Sequence, residues 1–540
     1  MRNRNLLVPR FSLLFSLCLC VSAGTFSCSS KPIEPRTVIP ADALVYLETD
    51  DLGRTLSAIT DGEAFARISA KKPDLSAVHG IKLSIAIMGF QTAEQQVTDD
   101  QVIGKIIPQF VAVAETNAWS WQATSFAENK LGEFINQIYG GGIELTVTPK
   151  DGGKYFVWTA ADGRKAYASV HGSVIYFGND ESAIEKCLAV KRGEAESIAK
   201  NSKITTGERL AFGYVSPDGV AQIANIAGVS LAIEASEEGE VQSFVARVLP
   251  ELVRNSVNEI TWIATLAEGR IEDNYSITTK AEVAAIFNET ITAAGQPDTS
   301  LLENLPADLP SVTLYSVRDP QVALRSMLLV AQKQTDPAAG AILNQYQKLL
   351  FEPYGIADVE MFLSAVGQTI VTAKLDKDGD KPGVIARVKD RTRVQQSLLD
   401  QLQRPKPETG EPEVEVWKTT DGEISAALVG DIIIIGDSDF VAKCIEIDRM
   451  TIGTRLEALR KRFFGFKSVP AATTGTDDAV SGSIVELLGE SHDVNAGRNA
   501  EFLTETEFTR TGIKRRTVAD FGLIGTIIAQ FAVEESVRNN

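Results

Sequence analysis

The sequence predicts an α+β fold built as two tandem, duplicated halves, each a mostly antiparallel sheet with helices on one face. Three observations carry this. Lys165 to Leu188 reads as a strand, a tight glycine turn, an apolar strand, a second glycine and a helix, and Glu423 to Ile445 reads the same way. Gly172 and Gly178 match Gly430 and Gly436, both 258 positions on, and Lys186-Cys187 matches Lys443-Cys444 after a one-residue deletion. Strand patterns also outnumber helix patterns and are joined mostly by hairpin turns, which favours antiparallel pairing. A chain of 540 residues is too long for one core. The expected division is a signal peptide over 1–27, a modified cysteine and tether over 28–37, a first half over 38–300 and a second over 301–540.

The elements follow in order. Ala43–Thr49 alternates as a strand, and the helix pattern from Asp50 to Ile59 has Asp50 or Asp51 available as its cap. Lys82–Met88 is a strand, Gln91–Gln101 reads as a polar loop, and Gln109–Glu115 alternates again. Trp119 to Tyr139 has helical apolar spacing and stops at Gly140-Gly141-Gly142. Three strands in meander, Ile143–Pro149, Tyr155–Ala160 and Lys165–His171, turn at Asp151-Gly152 and Asp162-Gly163. Leu210–Val215 is a strand with a helix pattern through Ala227. Ile260–Leu266 and Arg270–Thr278 form a hairpin, and Val283–Ala293 reads as a helix. Gly295–Ser300 is the expected boundary.

The second half echoes this order. Leu305-Pro306-Ala307-Asp308 echoes Ile39-Pro40-Ala41-Asp42, and Ser311–Val317 echoes the first strand. Gln368–Leu375 and Val384–Lys389 match the next two strands, with a helix pattern at Arg391–Leu402. Glu413–Lys418 and Glu423–Val429 lead into the repeated unit. Thr473-Thr474-Gly475 before Ser481–Val485 mirrors Thr205-Thr206-Gly207 before Leu210–Val215. Glu501–Thr509 with Ile513–Val518 mirrors the hairpin, and Phe521–Val533 reads as a core-packed terminal helix.

The formal charge is −18, and without Arg2, Arg4 and Arg10 the remainder carries 50 basic against 71 acidic residues. Such a surface repels phosphate backbones and anionic headgroups, so no nucleic-acid partner is expected. Residues 1–10 hold three arginines and no acid, and Phe11 to Phe26 is an apolar run. A charged start, a short apolar centre and a small residue before a cut site make a secretory signal; sixteen residues is short for a span of about 20.

Thr25-Phe26-Ser27-Cys28 resembles the bacterial lipobox, with Thr25 where that motif usually has leucine. The resemblance implies that Cys28 is diacylated and becomes N-terminal, and Ser29 after it leans towards the outer membrane. Cleavage after Ala23 would instead release a soluble exported protein, and an uncleaved anchor is the third arrangement. The tether from Ser30 to Thr37, with Pro32 and Pro35, is short and stiff. With Cys28, the two Pro-Ala-Asp openings and the doubled sheet unit, the chain resembles the large bacterial envelope proteins grouped as families of unknown function, over most of residues 38–535. That resemblance implies no activity.

The vocabulary of catalysis is thin. G-x-S-x-G, H-E-x-x-H, G-x-x-x-x-G-K-[ST] and G-x-G-x-x-G do not occur. Histidine occurs at His79, His171 and His492 alone. His171 falls in a tight turn where the second copy has Val429, and reads as a turn residue. No cofactor is expected. Asp376, Asp378 and Asp380 have the opening spacing of a calcium loop, but Lys381 and Arg387 stand where its glycine and glutamate belong, so they read as a hairpin tip with weak metal candidacy. Trp119, Trp121 and Phe126 are expected to pack their helix on the sheet. Cys187 and Cys444 read as small core residues rather than as a disulfide. The function expected is that of a non-enzymatic, lipid-anchored envelope protein that binds or scaffolds a partner. The alternatives are an envelope hydrolase with a dispersed site and a carrier of apolar ligands.

Overall fold

The computed structural model describes residues 32–525, apart from 63–64, 67–71, 99–100, 236–239, 268, 292–296, 307–308, 338, 341–350, 377–380, 403–413, 447–481 and 489–501. The leader, Cys28, Asp308, Asp378, Asp380, the Thr473–Gly475 echo, His492 and the end of the terminal helix pattern lie outside the described residues.

The chain forms two compact units, one of residues 32–226, 259–275 and 520–525, the other of 227–258 and 276–519. The first contains β1 (Val45–Thr49), β2 (Lys82–Thr98), β3 (Gln101–Glu115), β4 (Glu144–Lys150), β5 (Gly153–Thr159), β6 (Lys165–His171), β7 (Val174–Gly178), β8 (Ala211–Val215) and most of β9 (Val257–Ala267). Their order is β4-β5-β6-β7-β3-β2-β1-β8-β9, every neighbour antiparallel. β10 (Arg270–Thr279) returns beside β9.

The second unit contains β11 (Ser311–Ser316), β12 (Val366–Lys374), β13 (Pro382–Val388), β14 (Val414–Lys418), β15 (Ile424–Val429), β16 (Ile432–Asp437), β17 (Gly482–Leu488), β18 (Phe502–Thr509) and β19 (Gly512–Ala519). Its order, β14-β15-β16-β13-β12-β11-β17-β18-β19, is again antiparallel throughout. Both units therefore place a meander (β5-β6-β7, β14-β15-β16) beside β3 or β13. Both seat their first strand between the second and the strand that follows the meander. Among the described residues the first unit carries one strand more, β4, whose side chains are exposed along nearly its whole length.

Ten helices bear on the argument: α1 (Leu52–Thr60), α2 (Ser120–Ser125, a π-type turn Phe126–Leu131, and Gly132–Tyr139), α3 (Glu181–Arg192), α4 (Pro217–Ala235), α5 (Glu240–Ser256), α6 (Ala281–Thr290), α7 (Pro320–Gln334), α8 (Val359–Ala365), α9 (Arg391–Ser397) and α10 (Ser438–Ile445). Their starts obey local chemistry. Asp51, Asp180 and Asp437 accept from the backbone N–H of Arg54, Ser182 and Asp439, satisfying donors that a helix start leaves without partners.

The α+β class and the antiparallel pairing match expectation. The helical cover extends to the second face over the meanders. On the first unit, α3 packs with Val174 and Tyr176, while α2 packs with Ile175 on the opposite face. On the second, α10 packs with Ile434, while α8 and α9 pack with Ile433 and Ile435. A strand such as Ile432–Ile435, apolar at every position, needs cover on both sides.

Several elements differ from the sequence expectation. Gln91–Thr98 is strand rather than loop, because β2 and β3 pair from Lys82↔Glu115 out to Thr98↔Gln101; residues 99–100 lie outside the described residues. A backbone ladder forms there whatever the side-chain polarity, and Ile106 and Ile107 suit the partner strand as β-branched residues. α5 and α7 carry no counterpart in the sequence reading. Pro250 interrupts the first pattern yet is housed within the helix, and Asp319 caps the second. α5, α6 and α7 belong to one core with Phe508, and Asn255 Nδ2 donates to Gln334 O at 2.6 Å. Phe521, Leu523 and Ile524 pack against Trp262 and Ile271 of the first unit. There the indole of Trp262 and the backbone N–H of Leu523 both donate to Asp273 at 2.8 Å. Burial pushes that carboxyl above its usual range.

Cys187 and Cys444 occupy matching places on α3 and α10, each outside any disulfide and buried in its own unit's core. Burial pushes the Cys187 thiol up to about 12. Alkylation at pH 8, followed by peptide mapping, should find Cys187 about 100-fold slower to react in the folded than in the unfolded chain. Equal rates would mean that α3 opens readily.

Candidate functional site

One polar cluster in the first unit has no parallel among the described residues of the second, and it lies where the described chain joins the body. β1 sends Tyr46 and Glu48 to the same face, two residues apart, with Ser84 opposite on β2. Glu48 is nearly buried and accepts from the Tyr46 hydroxyl at 2.5 Å; that hydroxyl also lies 3.0 Å from Ser84 Oγ. Burial, then the Glu48 charge, pushes the Tyr46 phenol well above its ordinary range, so it stays a donor.

Two guanidinium groups close on the same carboxylate. Arg209 pairs directly with Glu48, both side chains about 5% exposed or less, and its guanidinium also lies 4.3 Å over the Phe212 ring. Its remaining donors reach Thr205 Oγ1 at 3.2 Å and Thr205 O at 2.5 Å. Arg36 comes from the entering chain, in the short 3₁₀ turn Pro35–Val38. Its Nε is 3.4 Å from Glu48, and its Nη2 is 3.5 Å from Asp50 and 3.7 Å from Glu34. Arg36 Nη1 is buried with no hydrogen-bond partner among the described residues.

The entering segment is held on either side of Arg36. The Ile33 N–H donates to Glu115 Oε2 at 3.1 Å, and Glu34 pairs with Lys82. Ser197 Oγ donates to Arg36 O at 2.8 Å, and the Ile198 N–H donates to Ile39 O at 2.9 Å. Glu115, at the end of β3, is only 1% exposed, and its other oxygen accepts the Asn117 N–H at 2.9 Å. One buried carboxylate thus ties the entry of the chain to the loop that leads into α2.

With the Pro-Ala-Asp openings aligned, Tyr46 and Glu48 correspond to Val312 and Leu314, which lie in an apolar core. The second unit folds with hydrocarbon at those positions, so the fold alone does not call for the charges. They hold the segment that follows residue 32. Chemically the cluster is a mooring: Tyr46, Glu48 and Ser84 are too deeply buried to meet a substrate.

The sequence-predicted residues fall elsewhere. Asp376 accepts the Lys381 N–H at 3.2 Å, as a hairpin tip does, and no group of three or more metal-binding side chains occurs among the described residues. His79 Nδ1 is 3.9 Å from Asp51, whose carboxylate is engaged in capping α1. His79 also lines a cleft of about 270 Å³ whose walls mix polar side chains such as Asp61, Lys72 and Asp74 with the apolar Pro73 and Leu75.

The tryptophans need a correction. Trp119 is 40% and Trp121 69% exposed, so only Phe126 of that trio packs on the sheet. Trp119 caps α2 and Trp121 lies in its first turn, whereas the helix's core contacts begin at Ala123. Helical spacing does not reveal where a helix overhangs the sheet.

His171 ends β6 and faces Ser169, with Nε2 3.0 Å from Oγ. Ala427 and Val429 occupy the corresponding positions, so this serine–histidine pair belongs to the first unit alone. It is the arrangement a hydrolase would need, but Ser169 is 1% exposed and Tyr176 stands edge-on to the imidazole at 5.9 Å. Burial, then Lys191, holds the imidazole below its ordinary range, so the unfolded chain binds more protons. Its contribution to stability is present above pH 6.5 and lost as pH falls from there through the lower value of the folded state. His171→Val should flatten the denaturation midpoint between pH 7 and 5; an unchanged slope there would place the titration on another group.

No family model and no curated protein matches the chain. Solved structures similar to it include two described as crystal forms of TP0453. Form I is 9% identical over 48% of this chain and 86% of its own, with a TM-score of 0.24. Form IV is 9% identical over 42% and 95%, with a TM-score of 0.18.

Proposed function

We propose that this chain is a lipid-anchored cell-envelope protein, acylated at Cys28, whose α+β body acts by binding or scaffolding an envelope partner rather than by catalysis. The observation that carries the reading is the mooring. A segment that follows a lipobox-like sequence within a few residues is fastened by the Ile33–Glu115 bond and by a buried Arg36–Glu48–Arg209 cluster, absent from the matching place in the second unit. A body pulled on by a membrane anchor needs its first residues held firmly, and two or three acyl chains, at about 0.8 kcal/mol per buried CH₂, supply a lasting anchor. Placement at the outer membrane or on the periplasmic side follows from the same leader. The acidic surface, −18 overall, suits a partner other than nucleic acid.

The test is a native mass spectrum of protein extracted from membranes in mild detergent. The expected mass is that of residues 28–540 plus acyl chains. An unacylated N-terminus elsewhere would overturn the anchor.

A further inference from the structure

We propose that Trp119 and Trp121 form a bilayer-docking surface that seats the body against the membrane in one orientation. This rests on the lipid-anchored reading and adds to it a second, non-covalent point of membrane contact. Three observations converge on it.

The tryptophans are set beside the place where the anchor would pull. Glu115 holds Ile33 N–H with one oxygen and Asn117 N–H with the other. Cys28 and Ile33 are about five peptide steps apart and span at most about 18 Å; Glu115 and Trp119 are about four apart and span at most about 14 Å. A lipid at Cys28 therefore keeps the Trp119 backbone within about 40 Å of the anchored cysteine whatever path the tether takes.

The loop that presents them is fixed. The Thr116 N–H and hydroxyl both donate to Ser173 O, at 3.2 and 2.7 Å, and Asn117 Nδ2 donates to Gly80 O at 2.9 Å. The Trp119 N–H donates to Gln122 Oε1 at 3.0 Å, closing the start of α2. Asn117 takes a left-handed φ of 53°, a conformation that asparagine tolerates and that turns the chain outward. The indoles are thus carried on a rigid mount, and docking costs little ordering of the backbone.

The chemistry suits the headgroup zone. Thr116 to Ala127 contains no charged residue, in a chain that is 23% charged. Indole, with an apolar body and one N–H, concentrates at the membrane–water interface. An uncharged aromatic surface is what an acidic body can bring to a zwitterionic bilayer without repulsion.

The test separates docking from acylation. The body, carrying a hexahistidine tag in place of residues 1–28 and so retaining every described residue, is held on nickel-chelating phosphatidylcholine vesicles with brominated acyl chains. Two of five tryptophans should be quenched, a loss of up to about two fifths of the emission. The Trp119→Ser/Trp121→Ser variant, altered only at exposed positions, should keep the thermal midpoint and lose the quenching. Absence of quenching in the tethered parent would overturn the proposal and leave the indoles to a protein partner. Quenching that persists in the double variant would overturn it too, because another tryptophan would be at the lipid. Neither outcome touches acylation of Cys28, which the mass spectrum decides.

Discussion

Glu48→Ala is expected to destabilise the first unit by about 3–5 kcal/mol, the cost of removing one partner from a buried ion pair. The substitution leaves Arg36 and Arg209 facing one another with their shared counter-charge gone, and takes an acceptor from the Tyr46 hydroxyl, which keeps Ser84. Chemical denaturation followed through Trp262 fluorescence would read it. Glu48→Leu, which copies Leu314, should be as harmful alone. Combined with Arg36→Leu and Arg209→Leu, it should recover much of the loss, because a hydrocarbon core of this shape already exists in the second unit. A midpoint for Glu48→Ala close to the parent's would mean that water or movement of Arg36 neutralises the site, and the mooring would lose its energetic basis.

The second large effect is expected at the matched glycines. A Cβ on Gly178 would lie 2.2 Å from Phe110 O, and one on Gly436 2.3 Å from Pro382 O, with φ at +145° in the latter. In each unit the last strand of the meander meets its neighbour here, at Val111↔Gly178 and Gly383↔Gly436. Gly178→Ala and Gly436→Ala should each cost about 3 kcal/mol, the upper range for forcing an extra carbon into a packed core. The turn glycines, Gly172 at φ +66° and Gly430 at +61°, have open space around the missing Cβ. Alanine there pays only for the left-handed backbone, about 1 kcal/mol. The ranking is the test: if the turn positions prove the costlier, close strand approach is not why the chain repeats Gly178 as Gly436.

Those glycines show what the sequence makes legible. The hairpin turns at Asp151-Gly152 and Asp162-Gly163, the capping aspartates and the antiparallel class depend on neighbours a few residues apart, and local pattern records them. The mooring does not. Glu48 and Arg209 are 161 residues apart, and Ile33 and Glu115 are 82 apart. Each reads alone as an ordinary surface charge until the sheet places Arg209 beside β1. One signal was within reach: the alignment that pairs Ile39-Pro40-Ala41-Asp42 with Leu305-Pro306-Ala307-Asp308 also sets Glu48 against Leu314, a charge facing a leucine inside a shared strand. The polar stretch 91–101 misleads for the opposite reason, since ladder pairing is a property of the backbone and composition alone does not forbid it.

The return of the chain's last described segment to the first unit bears on the order in which the molecule can be made. Asp273 and Trp262 are synthesised long before Phe521 and Leu523, yet the carboxylate has its full set of partners only when Leu523 reaches it. A chain emerging from the ribosome therefore carries an incomplete first core until residue 523 has been made, and closure of that core waits for it.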